Sequence, residues 1–468
     1  MRIKLGRPML LRQIAALGEC TLYFSGEDAC QTAICYLTTD TRELLPGDLF
    51  VALQTEKDDG HAYLPAAYEK GASAALIQYD HVSGAPPMCL LSTHDTMHSL
   101  ASFAAAWSSA IPHRTIAVTG SVGKTTTRHL LASILGERYR IHESYGNFNN
   151  LLGTVLTLLS MTSECEYLIA ECGMDAPGQI SRMSRLLRPD ISVITGIGIS
   201  HLEKLKTKEA ICKAKLEIVD GMKDGGAFYC PSAEPMLCHQ TSVIPKTFSA
   251  YDSGADCHLE KLRPYELGMQ FDLMTPKRHI SGLFVPVLSE TVMPVVACAA
   301  SIGLAEGVTE EELRRGLARY KPLSLRQSIQ ILGEVFILLD CYNACPASMK
   351  AAGEAAQHIQ TITGGKIVAL LGDMTELGEE TDTGHREIGV YMAGICESIF
   401  TIGHYAKLYS EGLPSESSFF HVFPADADRE KIADLIVSRL RPSDILLIKG
   451  SRVCRLESFL PFLQKKLS

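Results

Sequence analysis

The 468-residue chain has no CxxC pair, no unbroken apolar run of membrane-spanning length and no excess of basic residues. Each absence excludes something. Its fifteen cysteines are odd in number and scatter through apolar segments, as at Cys89, Cys172 and Cys298, where a free thiol packs as a small hydrophobe. That pattern predicts a reduced, cytoplasmic protein with neither a disulfide framework nor a structural metal cluster. The longest apolar stretch, about Val292–Ala305, is interrupted by Pro294, Ser301 and Gly303 and falls short of a membrane span. The opening MRIKLGRPMLLRQIAALGEC does not read as a secretory signal, because Arg12 and Gln13 break its apolar stretch. A net charge of −9 and a pI near 5.9 leave no overall positive field for nucleic acid, so a phosphate-bearing ligand needs a local site.

What is present is ordinary globular composition, 46% hydrophobic and 21% charged, which rules out a largely disordered or fibrous chain. The length suits three domains of about 150 residues each, and no internal repeat stands out. Residues 1–110 carry short apolar runs, DLFVAL and ASAALI, between turn-rich polar stretches. A second block, 111–322, opens with TIAVTG and continues with the buried-strand patterns YLIAECG and ISVITGIG, each preceded by a helical stretch. Near its end Thr309 and Glu312 make a capping box for a helix running to about Tyr320. From 323 to 468, VFILLD, KIVALLGDM, SIFTIG and DILLIKG alternate with helical segments. The fold class expected is therefore α/β in three domains: a small α/β N-terminal domain, a central P-loop-type ATPase domain with a mainly parallel sheet, and a C-terminal Rossmann-like domain.

The chemistry concentrates after TIAVT, in Gly120-Ser121-Val122-Gly123-Lys124-Thr125-Thr126-Thr127. Glycines let backbone N–H groups turn toward phosphate oxygens, and a helix N-terminus adds positive potential. Lys124 supplies a point charge, and the Thr125 hydroxyl can ligate Mg²⁺. Val118 stands where the longer P-loop pattern has its first glycine, so this is a shortened G-x-x-G-K-T variant. Glu171, closing the strand YLIAE, is placed for a metal, since a buried unpaired carboxylate is otherwise costly. His201 follows the next strand, where α/β proteins gather ligands, although a single His there is more often a loop residue. Lys215, in KAKLEIVDG, looks by spacing alone like a solvated helix residue.

Taken in order, TDTRELLPGDLFVAL, GSVGKTTTR, YGNFNNLLGTVLTLL, ECGMDAPGQI, RPDISVITGIGISHLE, DCYNACPASM, LLGDMTELGEET, GHREIG and IKGSR resemble the Mur ligase superfamily over essentially the whole chain. These are ATP-dependent amide-forming enzymes of bacterial wall synthesis. Within them the resemblance is to the branch that joins D-alanyl-D-alanine to UDP-N-acetylmuramoyl-tripeptide. It implies that Gly120, Ser121, Val122, Gly123, Lys124, Thr125 and Thr126 hold ATP, and that Thr125, Glu171, His201 and Lys215 hold two Mg²⁺ ions. Lys215 matches a lysine that is carbamylated in the superfamily, which turns a cation into a carboxylate-like anion. By the same resemblance Arg326, Asp340 and Tyr342 contact ATP, Thr41 and Arg42 the uridine portion, and Asn149 and Asn150 the muramoyl-peptide. Asn343 and the stretch Asp373–Gly378 would lie near the incoming dipeptide.

Departures from the pattern are Cys345 for the second Asn of YNANP, Leu325 for the Gly before the linker Arg, Thr55 for a Gly and Val155 for a Pro. The activity implied is ligation through an acyl phosphate, with the third domain closing on ATP; no cysteine is needed as a nucleophile. A diverged paralogue joining another amine, and a non-catalytic precursor-binding protein, are the alternatives. Expected partners are the UDP-N-acetylmuramoyl-tripeptide and D-alanyl-D-alanine, with no nucleic acid, no membrane span and a monomeric state.

Overall fold

The computed structural model describes residues 1–23, 32–198, 207–241, 243–322, 324–375, 377–411, 413 and 419–467. The chain divides into two compact units, Met1–Phe248 with Gly254–Asp256 and Ala305–Val308, and Ser249–Ser253 with Cys257–Leu304 and Thr309–Ser468.

The first unit holds two six-stranded sheets. One is built from β1 (Arg2–Leu10), β2 (Thr21–Tyr23), β3 (Ala33–Thr38), β4 (Leu49–Val51), β5 (Ala74–Gln78) and β6 (Cys89–Thr93), in the order β1-β3-β4-β5-β6-β2. β3 to β6 run parallel, and an antiparallel strand closes each edge. Helix α1 (Thr96–Ser109), capped by the Asp95 carboxylate, leads out of it. The Trp107 indole of α1 donates to the Met161 carbonyl at 3.0 Å, tying this domain to the next sheet's helices.

That next sheet comprises β7 (Arg114–Thr119), β8 (Ile141–Glu143), β9 (Tyr167–Glu171), β10 (Ile191–Ile194), β11 (Ala227–Pro231) and β12 (Pro245–Phe248). Every pairing is parallel, in the order β12-β11-β10-β7-β9-β8. Its middle strands are apolar because both faces are covered; β9 and β10 are buried along their whole length. Helix α2 (Lys124–Leu135) follows β7, α3 (Leu151–Ser160) precedes β9, and α4 (Lys208–Leu216) precedes β11. β7 lies between β10 and β9, so the loop after it emerges at the centre of the sheet's C-terminal edge.

The second unit contains a three-stranded antiparallel sheet, β13 (His258–Tyr265), β14 (Gly268–Thr275) and β15 (Arg278–Val285). The apolar stretch that was too short to span a bilayer forms helix α5 (Met293–Ala305), buried on most sides. No helix among the described residues is long and apolar enough to cross a membrane. Helix α6 (Glu310–Ala318) starts at the predicted capping box: the Thr309 N–H donates to Glu312 Oε2 at 2.8 Å, and the Glu312 N–H to Thr309 Oγ1 at 3.3 Å. It ends two residues short of the expected Tyr320, which the chain reaches through a turn.

The last sheet is β16 (Ser328–Leu332), β17 (Val335–Asp340), β18 (Ile367–Gly372), β19 (Ser398–Ile402), β20 (Phe420–Phe423) and β21 (Ile445–Lys449), with α7 (Pro346–Thr363) crossing from β17 to β18. Its order is β16-β17-β21-β18-β19-β20, parallel except for the β16 edge. The final strand of the chain therefore inserts between β17 and β18. All the described cysteines are free thiols.

Thr309→Ala removes half of the capping box, and its expected cost is about 1 kcal/mol. Urea unfolding followed by circular dichroism should show that loss, and Thr309→Ser should restore most of it.

Candidate active site

The loop after β7 is shaped by steric exclusion. Gly120 has φ +152°, and a Cβ there would lie 1.9 Å from Thr195 Oγ1, so no other residue fits without moving β10's exit. Gly123, at φ +85°, is the N-cap of α2, and no side chain caps that helix. The loop is braced from β10. The Thr195 hydroxyl donates to the Val122 carbonyl at 2.5 Å, the Ser121 N–H to the Gly196 carbonyl at 3.0 Å and the Gly198 N–H to Ser121 Oγ at 2.8 Å. Val122 is 70% exposed, so the loop is held by its backbone rather than by apolar packing. Lys124 folds over it, its ammonium donating to the Gly120 carbonyl at 2.7 Å and the Ser121 carbonyl at 3.4 Å. Thr125 and Thr126 are half-buried on the first turn of α2.

Glu171 is the last residue of β9, paired in register with Val118 of β7, so its carboxylate stands one strand from the loop. It is 3% exposed. Asn149 Nδ2 donates to Oε1 at 3.3 Å, while Oε2 is buried with no hydrogen-bond partner among the described residues. An orphaned carboxylate oxygen in the interior is unfavourable unless a cation or a donor completes it. Lys215, in the last turn of α4, is 2% exposed, which corrects the solvated-helix reading that spacing alone gives. Burial first, and the charge of Lys124 second, push its amine down to about 7. The fold has thus brought Lys124, Glu171 and Lys215 to one sheet edge. His201 lies outside the described residues.

This set fits ATP and a divalent cation. It offers a glycine loop with no room for a Cβ, an uncapped helix N-terminus, a hydroxyl at Thr125 and an incomplete buried carboxylate.

The other predicted residues differ in how free their side chains are. The Asn150 carboxamide oxygen caps α3 by accepting from the Gly153 N–H at 2.8 Å, and Asn149 braces both Glu171 and, through its carbonyl, the Gly173 N–H at 2.6 Å. Arg42 is exposed and forks onto Asp40, at 2.9 Å and 2.6 Å, which holds that carboxyl well below its usual range. The Thr41 carbonyl accepts from the Lys70 ammonium at 2.7 Å.

In the second unit, Arg326 lies over the Tyr342 ring at 4.2 Å, between two residues of positive φ, Leu325 at +67° and Gln327 at +48°. Leu325 occupies a left-handed conformation that glycine adopts without strain, and its carbonyl accepts from the Tyr342 N–H at 3.1 Å. Asp340 closes β17, 8% exposed, and burial pushes its carboxyl up while Lys449, at 3.1 Å, opposes that. Asn343 Oδ1 accepts from the Ala344 N–H at 2.8 Å. Cys345 begins α7, its N–H donating to Ser348 Oγ at 3.0 Å. The Asp373 carboxylate accepts from the His404 and Tyr405 N–H groups at 2.8 and 3.0 Å, and a Cβ on Gly403 would lie 2.1 Å from it. Glu376, inside the stretch 373–378, is outside the described residues.

Sequence reasoning missed Thr195 and Lys449. Both stand in quoted motifs, ISVITGIG and IKGSR, but nothing in a linear pattern says that they reach the loops after other strands. Thr195→Val should leave the fold intact and raise KM for ATP by about tenfold, the worth of one well-placed hydrogen bond; initial rates at varied ATP check this.

Comparison with known proteins gives the family. The chain matches the Mur ligase middle domain over residues 118–301 and the Mur ligase glutamate ligase domain over residues 327–452. It is 34% identical over 431 residues to the UDP-N-acetylmuramoyl-tripeptide–D-alanyl-D-alanine ligase of Bacillus subtilis, covering 91% of this chain and 92% of the relative. A crystal structure of MurF from Acinetobacter baumannii superposes with TM-score 0.89 at 26% identity, covering 99% of this chain and all of the other. MurF ligase from Thermotoga maritima, in complex with ADP, gives TM-score 0.78 at 25% identity over 92% of this chain and 97% of its own. The chain belongs to the Mur ligase family, in its UDP-N-acetylmuramoyl-tripeptide–D-alanyl-D-alanine ligase branch.

Proposed function

We propose that this protein is the ATP-dependent ligase that adds D-alanyl-D-alanine to UDP-N-acetylmuramoyl-tripeptide, giving the UDP-muramoyl-pentapeptide of peptidoglycan synthesis with ADP and phosphate. The observation that carries the reading is the orphaned Glu171 oxygen one strand from an intact phosphate loop, in a chain similar over 91% of its length to a ligase of that specificity.

Forming an amide from a carboxylate and an amine is uphill in water, so the carboxylate needs a leaving group. The terminal carboxylate oxygen of the tripeptide attacks the γ-phosphorus of ATP, and the bond to ADP breaks. The amine of the dipeptide then attacks the acyl carbon of the resulting acyl phosphate, loses its proton and expels inorganic phosphate. No enzyme nucleophile takes part. The chain's own contribution to the first step is electrostatic: the N–H groups of Val122 and Gly123, the α2 N-terminus and Lys124 hold the charge spreading over the transferring phosphoryl group. Thr125, Glu171, His201 and a modified Lys215 would hold Mg²⁺, which would supply further neutralisation of phosphate charge.

Lys215 is best read as carbamylated. A buried ammonium beside a second lysine is electrostatically unfavourable, and it would repel a cation. Addition of its neutral amine to CO₂, with loss of one proton, reverses that sign and offers oxygen ligands. Thr41 and Arg42 are assigned to the uridine portion, and Asn149 and Asn150 to the muramoyl-peptide side. Arg326, Asp340 and Tyr342 are assigned to ATP, and Asn343 and Asp373 to the dipeptide side. Residues 1–110, 111–322 and 323–468 then serve as uridine-nucleotide, ATP and amine modules.

A phosphate-release assay with ATP, UDP-N-acetylmuramoyl-tripeptide and D-Ala-D-Ala tests the reaction, with D-Ala-D-Ser, D-Ala-D-lactate and single amino acids as competitors. Release that depends on a single amino acid rather than the dipeptide overturns the assignment. Lys124→Ala should abolish release without unfolding the protein, and removing divalent cations should do the same reversibly. Lys215→Ala should be inactive and partly rescued by added short carboxylates; full activity without them removes the carbamate.

A further inference from the structure

β21 inserts between β17 and β18, so the exit of the last strand is flanked by the exits of both neighbours. Lys449 is paired in register with Asp340 on one side and Leu371 on the other. It is a lysine at 1% exposure in the middle of a parallel sheet, where an apolar residue would pack at lower cost. Its ammonium bonds Asp340 Oδ2 at 3.1 Å and the Asn343 carbonyl, thereby gripping both ends of the segment that carries Tyr342. Two residues on, Ser451 makes the corresponding contacts on the other side. Its N–H donates to the Asp373 carbonyl at 2.9 Å, and its hydroxyl accepts from the Thr375 N–H at 3.0 Å.

We propose that Lys449 and Ser451 are positioning residues that set the two substrate-facing loops after β17 and β18 against each other, Lys449 serving the ATP side through Asp340 and the dipeptide side through Asn343, and Ser451 serving the dipeptide side alone. This rests on the assignment of Asp340 to ATP and of the Asp373 loop to the dipeptide. The physical argument is one of division of labour. Asp340 and Asn343 can face a ligand only if something inside the sheet fixes their backbone and charge state. Lys449 does both with one ammonium, because it is anchored on a strand that cannot shift without breaking two ladders. The Asp373 carboxylate is already committed to the His404 and Tyr405 N–H groups, so the loop beyond it takes its direction from Ser451.

The test uses the full-length protein and initial rates of phosphate release, with ATP and D-Ala-D-Ala varied in separate series. Ser451→Ala deletes one hydrogen bond and should raise KM for the dipeptide by about tenfold while moving KM for ATP by less than about twofold. Lys449→Met should raise KM for ATP by about tenfold through Asp340 and KM for the dipeptide by a smaller factor through Asn343, and Lys449→Arg, which keeps the charge, should recover part of the ATP effect. If Lys449→Met does not fold, Lys449→Arg and Ser451→Ala carry the comparison. Equal changes in both KM values alongside a lowered melting temperature would mean ordinary structural roles and overturn the proposal. Asp340→Asn separates the two levels. Unchanged KM for ATP in that variant discards the ATP assignment itself. A raised KM there, with wild-type values in the Lys449 variants, discards only the positioning role.

Discussion

Charge held out of water is the constraint on which this structure turns. At the C-terminal edge of the central sheet a half-buried lysine, a buried lysine and a buried carboxylate come together. Lys124 donates to loop carbonyls, Lys215 is driven toward neutrality, and one oxygen of Glu171 has no hydrogen-bond partner among the described residues. Such a corner is costly for a protein with nothing to bind there. The cost becomes intelligible once a polyphosphate and its counter-ions complete the set.

The surrounding fold keeps that corner rigid. A parallel sheet places successive strand ends side by side, so a loop after one strand can be braced from its neighbour. Thr195, Ser121 and Gly198 brace the phosphate loop from β10 in this way, and Asn149 braces Glu171 from the turn before α3. The C-terminal sheet repeats the device with Lys449 and Ser451. In both sheets residues assigned to ligands lie at strand ends or on the loops that follow, and residues that aim them lie at or just beyond the ends of adjacent strands.

Much of this was legible in the linear chain. Strand cores such as VFILL and ILLI are apolar because their strands are covered on both faces, and that pattern survives without any tertiary information. The capping box at Thr309 and Glu312 is equally local, since both of its bonds close within three residues. The glycine loop was readable because its spacing alone dictates a turn. Lys215 was not readable from spacing. Its helix carries lysines at 208, 213 and 215, and only the packing of α4 decides which of them is buried. The resemblance to a known family singled out that lysine, while the environment that makes it unusual appears only in three dimensions.

By itself the sequence determined the type and order of the elements, the phosphate loop and the class of chemistry, because each rests on interactions between residues close in the chain. Tertiary structure alone decided which charged groups lie beyond the reach of water and which strand ends stand together. Asp340 and Lys449 are 109 positions apart, yet they are register partners. Strand order in a parallel sheet follows from crossover connections and from burial of both faces, and neither leaves a mark at the residues that end up as neighbours.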